Sequence, residues 1–123
     1  MSIRGRVIAI VEDDPVLGAE LIVSLERMGA IVHGPFRTLS AALQAFSSEL
    51  PEGAILDVEL LDGTVFPAAD RLNDLSIPFV FYTSLASKGR SRAHHYEVPV
   101  FDKSVSSQEP IAWLVQTLGK ASP

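Results

Sequence analysis

Short, unbroken apolar runs that end in polar residues limit this chain more than any other feature. Val7-Ile8-Ala9-Ile10-Val11 leads into Glu12-Asp13-Asp14, and Ala54-Ile55-Leu56 leads into Asp57. Phe79-Val80-Phe81-Tyr82 leads into Thr83-Ser84, and Val100-Phe101 leads into Asp102-Lys103. Continuous runs of β-branched and aromatic residues read as strands buried on both faces, which is the pattern of a parallel sheet. In an open parallel sheet the carboxyl ends of the strands share one edge, and ligands bind there. The sequence therefore places Asp13, Asp14, Asp57, Thr83 and Lys103 around one crevice. Carboxylates gathered in a crevice repel one another unless a cation sits among them. A hard divalent ion with oxygen ligands suits such a place.

Helical patterns separate the runs, so the chain reads as repeated strand–helix units of an α/β fold. The first strand covers residues 6–11. Asp14-Pro15 opens a helix whose buried stripe is Leu17, Leu21, Leu25 and Met28, and Gly29 stops it. A shorter strand at 30–33 ends at the turn signal Gly34-Pro35. Residues 39–46 form a helix capped by Thr38 or Ser40, and the third strand is 54–57. Leu61-Asp62-Gly63 is a loop, 64–72 a helix with Pro67 in its first turn, and 77–83 the fourth strand. Gly89 with the scattered Lys88, Arg90 and Arg92 weakens any helix over 85–97, which predicts a short one. Residues 98–101 are the fifth strand. Ser106 to Pro110 then starts a last helix, with stripe Ile111, Leu114, Val115 and Leu118, ending at Gly119.

A length of 123 residues suits one domain, 1–123, with a single core and no attached output domain. Hydrophobic residues make up 47% of it, which excludes a disordered chain. The net charge of -5 argues against direct nucleic-acid binding, which wants a basic face. With no cysteine there is no thiol nucleophile, disulfide or thiolate metal site. Neither a signal-peptide core nor an apolar stretch of membrane length occurs, so the expectation is a soluble cytoplasmic protein.

The ordered set of strand-end residues resembles the receiver domain of bacterial response regulators: an acidic pair after the first strand, Asp57 after the third, Thr83 after the fourth and Lys103 after the fifth. The resemblance covers essentially the whole chain. It implies a flavodoxin-like, doubly wound parallel sheet of five strands in order 2-1-3-4-5. It implies that Asp57 accepts a phosphoryl group from a sensor histidine kinase or a histidine phosphotransferase. Asp13, Asp14, Asp57 and the backbone carbonyl of Glu59 would hold Mg²⁺. Lys103 would pair with Asp57 and later with a phosphoryl oxygen, and the Thr83 hydroxyl would bond another. Chemistry of this kind stops at self-phosphorylation and auto-dephosphorylation. Output then passes through contact with a downstream protein or through a phosphorelay. Leu56-Asp57-Val58-Glu59-Leu60, Val65-Phe66-Pro67-Ala68-Ala69-Asp70, Ile77-Pro78-Phe79-Val80-Phe81 and Gly34-Pro35 are similar to the small stand-alone receivers found with HWE-type histidine kinases.

The chain departs from the family at two places. Ser104 follows Lys103 where most receivers have Pro, which predicts a lysine held less rigidly. Val100 stands three residues before the lysine where most carry Tyr or Phe, and the aromatic here is Phe101, on the opposite face of the strand. Both departures favour an alternative, a receiver-fold binding module that signals without phosphorylation. A third reading, a phosphatase-like enzyme with Glu59 as a second acid, leaves little chain for a substrate-covering cap. Glu59 and Leu85 flank the phosphoryl site in the family, and their charge and bulk bear on hydrolysis. Plainer readings stand beside these: Asp13 as a helix cap with Asp14 as a second acidic residue favoured by the helix dipole, and Lys103 in a structural ion pair with Asp57. His33, His94 and His95 read as surface or structural residues.

Overall fold

Each apolar run is a strand with a hydrophobic layer on both sides, which is why its residues need not alternate. The structure, a computed structural model, describes residues 2–121, with Lys120 and Ala121 described by backbone alone. The order is β1 (Val7–Val11), α1 (Pro15–Arg27), β2 (Ile31–Phe36), α2 (Leu39–Ser48), β3 (Gly53–Leu56), β4 (Glu59–Leu60), β5 (Gly63–Thr64), α3 (Phe66–Asp74), β6 (Phe79–Thr83), α4 (Arg90–Ala93), β7 (Val100–Asp102) and α5 (Gln108–Ala121). The main sheet is parallel and ordered β2-β1-β3-β6-β7. Counting its own strands alone, this is the predicted 2-1-3-4-5.

Strand alternation divides the core in two. Ala9, Val11, Ala54, Leu56, Phe79 and Phe81 meet Phe46 of α2, Phe66 and Leu72 of α3 and Ala93 of α4. Ile8, Ile10, Ile55, Val80 and Tyr82 meet Leu21 and Leu25 of α1 and Ile111, Leu114 and Leu118 of α5. The expected split of Val100 and Phe101 holds: Val100 packs on the first side and Phe101 on the second.

Several boundaries differ from the expected ones, each for a local reason. β2 runs on through Gly34-Pro35 instead of ending there, with a register shift against β1. It lies at the sheet edge, where proline's missing N–H is tolerated, and a bulge suits both residues. A Cβ at Gly34 would lie 2.4 Å from the Ile10 carbonyl oxygen, and φ there is +111°, so the close approach requires glycine. The loop at 61–63 proves to be the turn of a two-stranded antiparallel ribbon, β4–β5. Asp62 on that turn accepts from the Leu39 and Ser40 amides, at 2.6 and 3.1 Å, and adds to the Thr38 cap of α2. α5 continues past Gly119. A glycine there costs only about 1 kcal/mol against alanine, and the helix is anchored by buried Leu114 and Leu118. α4 is short, as Gly89 predicts. Among the described residues no helix is long and apolar enough to cross a membrane.

Candidate functional site

β1, β3, β6 and β7 are consecutive neighbours in the sheet, so the residues that follow them meet at one edge. Pairing continues a residue beyond the strands: the Asp57 amide donates to the Val11 carbonyl at 2.8 Å and the Lys103 amide to the Thr83 carbonyl at 2.9 Å. Asp57 is 5% exposed. Its Oδ1 accepts from the Thr83 hydroxyl at 3.0 Å and its Oδ2 from Lys103 Nζ at 3.1 Å. The same ammonium reaches Glu12 at 3.1 Å. A cleft of about 210 Å³ opens onto this group, lined by Asp57, Glu59, Thr83, Ser84, Ala86, Ser87 and Lys103. The structure thus brings together Asp57, Thr83 and Lys103 as the sequence predicts.

The acidic pair is shifted by one residue from the expected one. Carboxylate oxygens of Glu12, Asp13 and Asp57 lie within 4.8 Å of one another. Asp14 is not among them: its Oδ1 accepts from the Val16 and Leu17 amides at 2.9 and 3.4 Å and caps α1. Its backbone amide serves the site instead, donating to Glu12 at 3.1 Å. Pro15 carries the signal for this assignment. The residue before a first-turn proline is the natural cap, which leaves Glu12 and Asp13 as the pair nearest the strand. The Glu59 carboxylate also stands apart from the cluster, at the mouth of the cleft, where it accepts from the Lys88 amide. That bond holds its pKa below the ordinary glutamate value. Leu85 is exposed and does not line the cleft.

Burial shapes the electrostatics. Glu12, only 2% exposed, is pushed up to about 8, first by burial and then by the charge of Asp57. Burial likewise raises Asp57, against the pull of its hydrogen bonds and of Lys103. For Lys103 burial pulls downward, but the charges of Asp57 and Glu12 outweigh it and the ammonium is stabilised. A single ammonium shared by buried carboxylates leaves the cluster short of positive charge. An all-oxygen donor set in that condition fits Mg²⁺, which takes carboxylates and fills its remaining positions with water.

The support behind Lys103 is a turn. The Ser104 amide donates to Asp102 Oδ1 at 2.8 Å, and the Val105 amide donates to the Asp102 carbonyl at 2.9 Å. Asp102 also forms an ion pair with Arg90 of α4 at 3.5 Å. Away from the site, His33 pairs with Glu49 at 3.3 Å, and His94 and His95 are exposed.

No protein-family model matches the sequence, and no curated protein does. Solved structures do match. The non-phosphorylated receiver domain of HemR from Leptospira biflexa is 27% identical with a TM-score of 0.75, covering 89% of this chain and 90% of that one. The signal receiver domain of a modulated diguanylate cyclase from Desulfovibrio desulfuricans is 23% identical with a TM-score of 0.77, over 96% and 99% of the two chains, and speaks for the fold. The response regulator PhyR from Brucella abortus is 28% identical with a TM-score of 0.68 over 85% of this chain, which spans 44% of PhyR. The chain has the fold of these receiver domains and is similar to them along most of its length.

Proposed function

We propose that this receiver domain accepts a phosphoryl group on Asp57 from the phosphohistidine of a sensor histidine kinase or histidine phosphotransferase, in a reaction that needs Mg²⁺. One observation carries the reading: a buried carboxylate faces an open cleft while a hydroxyl at 3.0 Å and an ammonium at 3.1 Å hold its two oxygens. An Asp57 oxygen attacks phosphorus. The O–P bond forms as the P–N bond breaks, and the electron pair returns to the imidazole nitrogen. Thr83 and Lys103 then turn from Asp57 to the transferred phosphoryl oxygens, and positioning and charge neutralisation supply most of the rate. Glu12, Asp13 and Asp57 would hold Mg²⁺, with the Glu59 carbonyl as a further ligand, and such an ion would supply charge neutralisation on the phosphoryl oxygens. The cytoplasm is the setting that suits such a donor. Output passes to a downstream protein by contact or onward in a relay, and the likeness to the HWE-associated receivers gives the first kinases to try.

Incubation with acetyl phosphate and Mg²⁺, followed by intact mass spectrometry, tests the reading. A gain of one phosphoryl group that Asp57→Ala abolishes supports it; an unmodified wild-type chain overturns it. A second reading, a binding module that works without phosphorylation, draws on Phe101, whose ring is packed on the α1/α5 side and so cannot serve as an inward switch at Thr83. Partner binding that survives Asp57→Ala unchanged favours that reading.

A further inference from the structure

Lys103 stands on the slightest support in the main sheet. β7 has three residues, lies at the edge and pairs on one side, with β6. Ser104, Val105 and Ser106 after it are exposed, and no proline stiffens them. A lysine stem is long and flexible, so a loose backbone at this point would spread the ammonium away from Asp57.

Tyr82 closes that gap. It is 3% exposed, with its ring in the α1/α5 layer of the core. Its hydroxyl donates to the Val105 carbonyl at 2.6 Å. The bond ties the turn beyond Lys103 to β6, the strand that also carries Thr83. Because the Ser104 and Val105 amides both fold back onto Asp102, the turn is one compact unit. Fixing Val105 therefore fixes the backbone on either side of Lys103. Among the described residues the Tyr82 hydroxyl bonds to none of the site carboxylates. Its hydrogen bond reaches the site through the backbone around Lys103.

We propose that Tyr82 is a positioning residue for phosphoryl transfer, its hydroxyl clamping the Val105 carbonyl so that the Lys103 ammonium stays registered on Asp57. This rests on Asp57 being the acceptor. Ångström-scale misplacement of a group at a reacting centre lowers rates by orders of magnitude, and the clamp takes the place of a rigid residue after the lysine.

The test is a double-mutant cycle on the rate of Asp57 phosphorylation by acetyl phosphate at saturating Mg²⁺. Tyr82→Phe removes the hydroxyl and keeps the ring. It is expected to slow the wild-type background about tenfold and the Lys103→Ala background by less than about twofold. Equal slowing in both backgrounds, or none in the wild type, overturns the proposal. A wild-type chain that acetyl phosphate leaves unmodified defeats the acceptor reading, and the proposal with it. A second measurement needs neither turnover nor a variant: in the unaltered protein the Tyr82 hydroxyl proton should exchange slowly enough to be resolved by NMR. A freely exchanging hydroxyl also overturns the clamp.

Discussion

At the scale of single residues, the buried carboxylates set the pH behaviour. The folded chain holds a proton on Glu12 up to about pH 8, whereas an ordinary glutamate releases it near 4.5. Between those values the folded state binds more protons than the unfolded one, so metal-free stability falls as pH rises. Asp57, also raised by burial, acts with the same sign. Thermal melting in chelator should therefore decline from pH 5 to 8, by no more than about 1.4 kcal/mol per pH unit for each group. Glu12→Gln should flatten the decline, and Mg²⁺ should raise the midpoint most at the alkaline end. A flat or rising profile in chelator refutes this. Asp14 and Asp13 separate by a different measurement. Asp14→Ala should lower stability by about 1 kcal/mol through the lost cap and leave Mg²⁺ titrations unchanged. Asp13→Asn should weaken Mg²⁺ binding about tenfold or more. Asp57, Thr83 and Lys103 are legible in the sequence because each closes an apolar run at its polar end. Three adjacent acids allow two choices of pair, and only the place of Pro15 decides between them.

At the scale of elements, legibility follows burial. β1, β3 and β6 announce themselves because both faces are covered, and a short continuous apolar run between turn signals suits a central strand. The ribbon β4–β5 has two residues per strand, too few for any period to show. β2 reads too short in the sequence because Gly34-Pro35 has the chemistry of a turn, although an edge strand accommodates it. Gly89 predicts a short α4, but the packing that requires glycine there has no mark in the sequence. A Cβ at Gly89 would lie 2.5 Å from Val58 Cγ1 and 3.2 Å from the Phe66 ring. Gly89→Ala should therefore push the start of α4 away from Val58 and α3 and lower stability by about 1–3 kcal/mol, the usual range for overpacking. Chemical denaturation measures it, and a loss below a few tenths of a kcal/mol would show that α4 drifts freely on this face.

At the scale of the whole molecule, the α4 side carries polar tethers to the site besides its hydrophobic packing. α1 and α5 share a continuous hydrophobic layer. α4 packs on the other hydrophobic layer through buried Ala93, and polar bonds also hold it near the site: the Glu59 carboxylate on the Lys88 amide and the Arg90–Asp102 ion pair. Asp102 adjoins Lys103, and Glu59 lies two residues from Asp57. The phosphoryl group proposed for Asp57 would add negative charge beside Glu59 and draw Lys103 toward itself, and so would act on both tethers at once. Hydrogen exchange should quicken in the 84–99 segment after phosphorylation while α1 and α2 keep their protection. Equal changes in α1 and α2 would remove α4 as the moving part.

The pairing of Lys103 with Glu12 spans 91 positions of sequence. A ribosome must therefore deliver the chain from Glu12 through Lys103 before the pocket exists in any form. A nascent chain with every strand but the last still lacks its ammonium. The charge-balanced pocket is therefore completed no earlier than the last strand of the main sheet.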